Sequence, residues 1–260
     1  MDASAVRSFA AIGDSFTEGM GDELPDGTPR GWADFVAMAL AAHAREPIGY
    51  ANLAIRGRKL GPILDEQLDA AIALRPQLLS MNGGGNDMMR PKISIQETSG
   101  RLEAAVDKVL AAGPTMLMLS GANPSRNLPG GRLMRKRGDA LSDAVAVWAA
   151  RKDGVVYVDN WHDESIEDLA YWSPDKLHLN ALGHTRVASN VLHGLGVPVP
   201  ASWGVDEVED AIAHGNRPGA ITYYREFVLP WIGRRLTGRS SGDGRVAKRA
   251  TLMLIEPLAL

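Results

Sequence analysis

Short apolar runs alternate along this chain with longer segments whose apolar residues recur every three or four positions. The short runs are typical of buried β-strands, and the longer segments are typical of helices that bury one face. This alternation predicts βαβ units and an α/β fold with a parallel sheet covered on both faces. Strands are predicted at Ser8–Gly13, Ile48–Leu53, Gln77–Asn82, Thr115–Ser120 and Val155–Asp159. Helices are predicted at Trp32–Ala44, Leu60–Leu74, Gln96–Ala112, Arg132–Arg151 and Asn180–Leu192.

The pattern changes after the last of these helices. Residues 194–200 read Gly-Leu-Gly-Val-Pro-Val-Pro, a run that ends a helix. We therefore expect one domain over residues 1–196 and a helical extension over residues 197–260. Within the extension, helices are predicted at Val205–Ala213 and Ala220–Leu236, and a flexible loop at Gly238–Arg245. Residues 252–260 are mostly apolar, so we expect them to pack on the domain or on a second subunit, which leaves a homo-oligomer open.

Composition and charge narrow the class of protein. The 260 residues carry a net charge of −3, which gives no general reason to expect a nucleic acid or an anionic membrane as partner. The absence of cysteine excludes disulfides and thiol catalysis and suits a reducing compartment. No apolar run approaches the roughly 20 residues of a spanning helix. We expect no leader, because no basic region followed by a long apolar stretch precedes Gly13, and we therefore expect a cytoplasmic protein.

Two clusters of basic residues interrupt this weakly acidic composition. One opens a predicted helix and the other closes the last one; their members are Arg132, Arg135, Lys136 and Arg137, and Arg234, Arg235 and Arg239. An anion site or a membrane contact is one reading of such clusters. We favour solvated helix faces, because the density of basic residues is too low for a lipid-binding patch.

Candidate chemistry lies at the end of the first predicted strand and before the last predicted helix. Residues 13–19 read Gly-Asp-Ser-Phe-Thr-Glu-Gly, and residues 175–178 read Asp-Lys-Leu-His. A serine hydroxyl becomes nucleophilic when a base takes its proton and a third group orients that base. We therefore predict Ser15 as the nucleophile, His178 as the base and Asp175 as the orienting group. The G-x-S-x-G elbow of α/β-hydrolases is absent around Ser15, which indicates a different hydrolase architecture.

Four sequence blocks, in order, resemble those of the SGNH or GDSL hydrolases. They are residues 13–19, residues 52–57 (Asn-Leu-Ala-Ile-Arg-Gly), residues 84–87 (Gly-Gly-Asn-Asp) and residues 175–184 (Asp-Lys-Leu-His-Leu-Asn-Ala-Leu-Gly-His). The resemblance covers residues 8 to 194, and the C-terminal extension is similar to that of a bacterial intracellular subgroup. Phe16 stands where leucine is commonest, and the third block carries an extra glycine.

The resemblance implies a three-layer α/β/α, flavodoxin-like fold with a five-stranded parallel sheet. It also implies an oxyanion hole built from the N–H groups of Ser15 and Gly57 and the side-chain amide of Asn86. Donors fixed in advance around developing negative charge are what acyl transfer requires. Asp87 is expected to hold loops together rather than to take part in bond-making.

These residues have three other interpretations. Ser15 alone could be a helix cap, and residues 83–85 could cradle a phosphate, although the Lys-Ser/Thr of a P-loop does not follow them. Asp175, His178 and His184 are residue types that bind catalytic zinc. The four blocks together account for all of these residues without a metal. We therefore expect no metal and no cofactor, and a structural role for His184.

These observations predict a carboxylic-ester hydrolase that acts on a small-molecule ester through an acyl-enzyme. The resembling family includes lipases, lysophospholipases, thioesterases and sugar deacetylases, and a fold does not choose among them. The few aromatic residues and the lack of a long lid favour a short or modest acyl chain. An acyltransferase or a carbohydrate O-deacetylase on the same site stays open, as does a non-catalytic protein that binds an ester or a carbohydrate.

Overall fold

A six-stranded sheet forms the middle layer of the protein. The computed structural model describes residues 2–128, 130–203, 225 and 240–257. Its strands are β1 (Ser8–Ile12), β2 (Ile48–Asn52), β3 (Leu78–Met81), β4 (Thr115–Leu119), β5 (Val155–Val158) and β6 (Arg249–Ile255). They lie in the order β5-β4-β3-β1-β2-β6, and all pairs are parallel except β2 with β6. The predicted α/β fold with five parallel strands is confirmed, and β6 adds a strand that we did not predict.

Helices cover both faces of the sheet. They are α1 (Ser15–Glu18), α2 (Trp32–Ala44), α3 (Leu60–Pro62), α4 (Asp69–Ala73), α5 (Gly85–Met88), α6 (Ile95–Ala112), α7 (Gly131–Ala149) and α8 (Ala181–Leu195). A π-helical segment, Ile63–Leu68, joins α3 to α4, so the helix predicted at Leu60–Leu74 is divided. Short 3₁₀ turns lie at Ala3–Ala5, Ser125–Asn127, Glu164–Glu167, Leu169–Tyr171 and Ala201–Trp203. The helices predicted in the extension lie outside the described residues.

Strand β1 is apolar at consecutive positions because helices cover both of its faces. In β1, Phe9 and Ala11 face a core shared with α2 and α8, whereas Ala10 and Ile12 face a core shared with α6 and α7. All four residues are fully buried, as expected for a parallel strand covered on both sides.

Strand order also fixes where a ligand site can form. The chain places β2 on one side of β1 and β3 on the other, so the connections after β1 and β3 diverge. Ligands of open α/β sheets bind in the crevice at the carboxyl ends of such strands. The motifs that contain Ser15 and Asn86 follow β1 and β3 directly, and both therefore lie at this crevice.

The C-terminal segment is fixed to the domain by strand pairing and by one buried lysine. β6 runs antiparallel to β2, with Ile255 opposite Ile48. Lys248 donates to the carbonyl oxygens of Glu18 (2.6 Å) and Pro29 (2.8 Å) and to Asp34 Oδ2 (2.6 Å). The Lys248 and Asp34 side chains are both largely buried. Three acceptors around one buried ammonium group make this end of the segment specific in position.

Removing most of β6 should destabilise the protein. Deletion of residues 252–260 removes the strand from Leu252 onward and leaves part of the β2 edge unpaired. We expect the melting temperature to fall by about 5 °C or more, because a loss of a few kcal/mol shifts a domain of this size by that amount. Deletion of residues 256–260, which leaves β6 whole, is the control. Equal melting of the two truncated proteins in calorimetry would contradict a stabilising role for this strand.

Among the described residues, the structure contains no helix with the length and apolar character needed to cross a bilayer.

Candidate active site

Ser15 begins α1, directly after the turn that follows β1. The Asp14 side chain caps this short helix by accepting a hydrogen bond from the Phe16 N–H at 3.1 Å. The turn is tight, since a Cβ on Gly13 would lie only 2.7 Å from Thr17 Oγ1. The Ser15 N–H belongs to the first turn of a helix, where backbone donors have no intrahelical acceptor, and it has no hydrogen-bond partner among the described residues.

Asp175 and His178 form a fixed pair on the loop before α8. Asp175 Oδ2 lies 2.6 Å from His178 Nδ1. The other oxygen, Oδ1, accepts from Ser173 Oγ at 2.7 Å and from the N–H groups of Leu177 and His178 at 2.9 Å each. Burial opposes ionisation of Asp175, but the hydrogen bond and charge of His178 outweigh it and hold the Asp175 pKa well below its usual value. An ionised Asp175 accepts the Nδ1 proton, which leaves His178 Nε2 as the basic nitrogen.

The structure places Ser15, Asp175 and His178 around one cavity of about 440 Å³. The Ser15 hydroxyl makes no hydrogen bond to any described residue, so the hydrogen bond from Ser15 Oγ to His178 that the triad requires is not formed in this structure. Catalytic hydrogen bonds are often long before substrate binds, and this geometry is compatible with the predicted triad.

Gly57 and Asn86 border the same cavity from neighbouring loops. Gly57 has a left-handed backbone (φ 72°), and its N–H has no hydrogen-bond partner in the described part of the chain. Asn86 Nδ2 donates to Asp14 Oδ2 at 3.0 Å and to the Arg58 carbonyl at 2.9 Å. Both amide hydrogens are therefore occupied, and Asn86 can donate to an oxyanion only by releasing one of these acceptors.

His184 and Asp87 have structural partners, as the sequence led us to expect. His184 is fully buried; its Nδ1 accepts from the Trp32 N–H at 3.3 Å, and its Nε2 lies 3.1 Å from the Met20 carbonyl. Burial lowers the His184 pKa to about 4, so the ring is neutral at pH 7. Asp87 Oδ2 accepts from the Leu60 N–H at 2.8 Å and thereby joins two loops. In the described residues, no three His, Cys, Asp or Glu side chains are grouped as metal ligands.

Part of the cavity wall is an apolar chamber, which we define by Leu102, Met118, Leu141 and Val145. These side chains come from β4, α6 and α7 and are almost completely buried. Helical spacing identifies Leu102, Leu141 and Val145 as core positions, and Met118 belongs to the apolar run of β4, so no signal in the sequence separates chamber from core. The chamber and Ser15 border the same cavity.

A second Asp-x-x-His pair, which we did not predict, lies at the end of β5. Asp159 Oδ2 is 2.7 Å from His162 Nδ1, and Asp159 Oδ1 accepts from the hydroxyls of Ser120 and Ser142. The His162 side chain is 45% exposed, compared with 22% for His178, and it does not line the described cavity. Position relative to Ser15 therefore favours Asp175 and His178 over this second pair.

One residue of the first basic cluster, Arg137, stabilises a neighbouring loop. Arg137 donates to the carbonyl oxygens of Met88, Arg90 (3.1 Å) and Ile93 (2.6 Å), and so fixes the loop after α5. Arg137 is half-buried, and the prediction of a solvated helix face is wrong for this residue. The reason is that backbone carbonyls of a neighbouring loop supply acceptors that the helix itself lacks. The second cluster lies outside the described residues.

Comparison with known proteins identifies the family. The model of the GDSL-like Lipase/Acylhydrolase family matches residues 11–186, well over half of the sequence. The chain belongs to the GDSL-like lipase/acylhydrolase family. Membership confirms the resemblance seen in the four blocks and the prediction of an enzyme that hydrolyses ester bonds. No curated protein matches the sequence.

Solved structures share the fold of this GDSL-like protein. The acetylxylan esterase Axe2 from Geobacillus stearothermophilus is 20% identical, with a TM-score of 0.61 over 77% of this chain and 100% of that one. The α/β hydrolase enzyme LAE5 from the metagenome of Lake Arreo is 22% identical, with a TM-score of 0.62 over 75% and 98% of the two chains. TesA is 23% identical, with a TM-score of 0.59 over 72% and 97%.

The cap residue Asp14 should make stability depend on pH. Burial raises the Asp14 pKa from 3.8 to about 6, because the ionised form is costly inside the protein. Asp14 therefore contributes stability that is fully present below pH 3.8 and is lost as the pH rises through about 6. Asp14→Asn should remove this loss, so the difference in unfolding free energy between wild type and variant should change by about 3 kcal/mol from pH 3.5 to 7.

Denaturant unfolding at a series of pH values measures this change. Asn caps helices as well as Asp does, so the cap itself is kept. Asp65→Asn, which alters an exposed carboxyl group, is the control and should give a pH curve parallel to that of wild type. A parallel curve for Asp14→Asn as well would contradict the raised pKa.

Proposed function

We propose that this protein is a carboxylic-ester hydrolase that forms an acyl-enzyme on Ser15. The observation that carries the proposal is the half-buried Asp175–His178 pair, which borders the same cavity as Ser15. Two backbone N–H groups without described partners, those of Ser15 and Gly57, border that cavity as well. A base, a nucleophile and oxyanion donors around one space are the parts that acyl transfer requires.

In the proposed reaction, Ser15 Oγ attacks the ester carbonyl carbon while His178 Nε2 accepts the hydroxyl proton. Asp175 keeps the ring in the required tautomer and stabilises the imidazolium that forms. The tetrahedral oxyanion receives hydrogen bonds from the N–H groups of Ser15 and Gly57. Asn86 becomes a third donor when its amide leaves Asp14 or Arg58.

The second half of the reaction returns the enzyme to its starting state. Collapse of the tetrahedral intermediate breaks the bond to the alcohol, and His178 gives its proton to the departing alkoxide. A water molecule then loses a proton to His178 and attacks the acyl-enzyme, and Ser15 leaves with that proton. The products are one carboxylic acid and one alcohol.

The apolar chamber is the proposed site of the acyl group. A cavity of 440 Å³ lies within the usual size of small-molecule sites and accepts more than an acetyl group. Each buried methylene contributes about 0.8 kcal/mol, which corresponds to roughly a fourfold gain in kcat/KM per added carbon until the chamber is full. The structure therefore favours a modest acyl chain over the shortest one.

A ladder of p-nitrophenyl esters tests this proposal. We expect kcat/KM to rise from the acetyl ester through several added carbons and then to level off. Alcohols added as acyl acceptors would divert the acyl group into new esters if the protein were an acyltransferase. Activity lost on chelation and restored by zinc would replace the serine mechanism by a metal-bound water.

Filling the chamber should shorten the preferred acyl chain. Val145→Phe places a larger side chain where Leu141 and Met118 already border the cavity. We expect kcat/KM for an octanoyl ester to fall about tenfold or more, and the value for the acetyl ester to change by less than about threefold. Val109→Phe, in the same core but away from the cavity, is the control for overpacking. A loss that is equal for both esters would contradict the placement of the acyl group.

A further inference from the structure

The C-terminal strap, which we define as residues 240–255, reaches from β6 into the active site. Its first residues form a turn in which the Ser240 N–H donates to Asp243 Oδ2 at 2.9 Å and the Gly242 N–H donates to Ser240 Oγ at 3.1 Å. Ser240 and Ser241 both line the cavity that contains Ser15. The sequence predicted a flexible loop at Gly238–Arg245, and the described part of this segment, residues 240–245, contains a turn at the cavity.

This turn lies directly against the loop that carries Gly57. A Cβ on Gly57 would lie 2.4 Å from Ser240 Oγ and 2.9 Å from Ser241 Oγ. A Cβ on Gly242 would lie 2.1 Å from the Arg56 carbonyl, so the two backbones are in close contact. Glycine is needed on both sides of this contact, and the serine hydroxyls come within reach of any group bound near the Gly57 N–H.

Both partners in this contact are held in place by ionic hydrogen bonds. Glu18 Oε1 accepts from Arg56 Nη2 at 2.6 Å, and Glu18 Oε2 accepts from the Arg56 N–H at 2.6 Å. Lys248 fixes the strap through the carbonyl of the same Glu18 and through Asp34. The Arg56 and Glu18 side chains are largely buried. These ion pairs hold the Gly57 loop and the strap in place, and they therefore fix the position of the cavity wall formed by Ser240 and Ser241.

The order of the strands places the strap and the apolar chamber on opposite sides of Ser15. The chamber is lined from β4 and its covering helices α6 and α7, whereas the strap adjoins β2 through β6. Ser15 follows β1, which lies between these two groups of strands. An ester bound with its acyl group in the chamber therefore presents its alcohol to the strap.

We propose that Ser241, together with Ser240, contacts the alcohol part of the substrate and favours esters whose alcohol carries further hydroxyl groups. Ser240 Oγ already accepts a hydrogen bond from within the turn. Ser241 is an exposed residue that lines the cavity, and its hydroxyl has no hydrogen-bond partner among the described residues, so it is the stronger candidate. The inference rests on the proposed function, because it assumes that an ester is bound at Ser15.

Two esters that share the same acyl group but differ in their alcohol test this inference. Glycerol monobutyrate and ethyl butyrate form the same butyryl-enzyme, so any difference between them arises in acylation. In Ser241→Ala, we expect kcat/KM for the glycerol ester to fall about 3- to 10-fold, the size of one lost hydrogen bond, and the value for the ethyl ester to stay unchanged. The double variant Ser240→Ala/Ser241→Ala should lose more on the glycerol ester. Ser165→Ala, at an exposed serine outside the cavity, is the control.

Each other outcome counts against the inference. An equal fall for both esters would give Ser241 a structural role only, and unchanged values for both would remove it from substrate binding. Either result leaves the proposed function in place, because wild-type protein still hydrolyses the esters. A wild-type protein that hydrolyses neither these butyrates nor the p-nitrophenyl esters would reject the proposed function, and this inference with it.

Discussion

Replacing Ser15 by alanine should lower kcat for ester hydrolysis by about 10,000-fold or more and leave the fold unchanged. The expected loss is this large because every covalent step is assigned to one hydroxyl, and removal of a triad member leaves only the oxyanion donors and binding. Ser15 lies at the border of the cavity at the start of a short helix, where the loss of its hydroxyl breaks no described hydrogen bond. Steady-state kinetics and intact-protein mass after treatment with an organophosphate measure the two consequences.

Ser120→Ala is a matched control, because Ser120 also lines the cavity. We expect this variant to take up one organophosphate group, as wild type does, and Ser15→Ala to take up none. Ester turnover near the wild-type rate in Ser15→Ala, or a label on another serine, would overturn the serine mechanism.

Replacing Asp175 by asparagine should cost about 1,000- to 10,000-fold in kcat. The asparagine oxygen can keep the three hydrogen bonds that Oδ1 now accepts from Ser173, Leu177 and His178. Its amide then donates to His178 Nδ1, which forces the ring proton onto Nε2 and removes the base. Circular dichroism and kinetics together separate this chemical effect from a loss of folding.

The second Asp-x-x-His pair provides the control for this variant. Asp159→Asn alters a carboxylate with the same spacing and a similar contact to its histidine, 2.7 Å compared with 2.6 Å. We expect a change of less than about tenfold in kcat, because His162 does not border the described cavity. Comparable losses in the two variants would mean that the assignment of the catalytic pair is wrong.

The five parallel strands were predictable because their apolar sequences match their burial on both faces of the sheet. Strands buried on both faces read as continuous apolar runs, and the polar motifs that follow them must meet at one edge of the sheet. β6 gave no such signal. Its apolar residues were interpreted as part of a packed tail over residues 252–260, because pairing with β2 depends on a partner far away in the sequence.

The limits of prediction at the site have a similar physical cause. The blocks identified Asn86 but not its two present acceptors, since these come from loops after β1 and β2. Leu102 and Val145 carry the spacing of core residues whether or not a cavity lies beside them. The contact of Ser240 with Gly57 was likewise invisible, because a Ser-Ser-Gly-Asp-Gly run predicts only a turn and not what the turn touches.

The pairing of β6 with β2 has a consequence for how the protein is made. A ribosome delivers β2 and the three strands after it before β6, so an emerging chain carries an uncovered β2 edge while the rest of the sheet assembles. An open edge is a template for pairing with other chains. Nascent chains should therefore be most prone to aggregate just before residues 249–255 emerge and cover this edge.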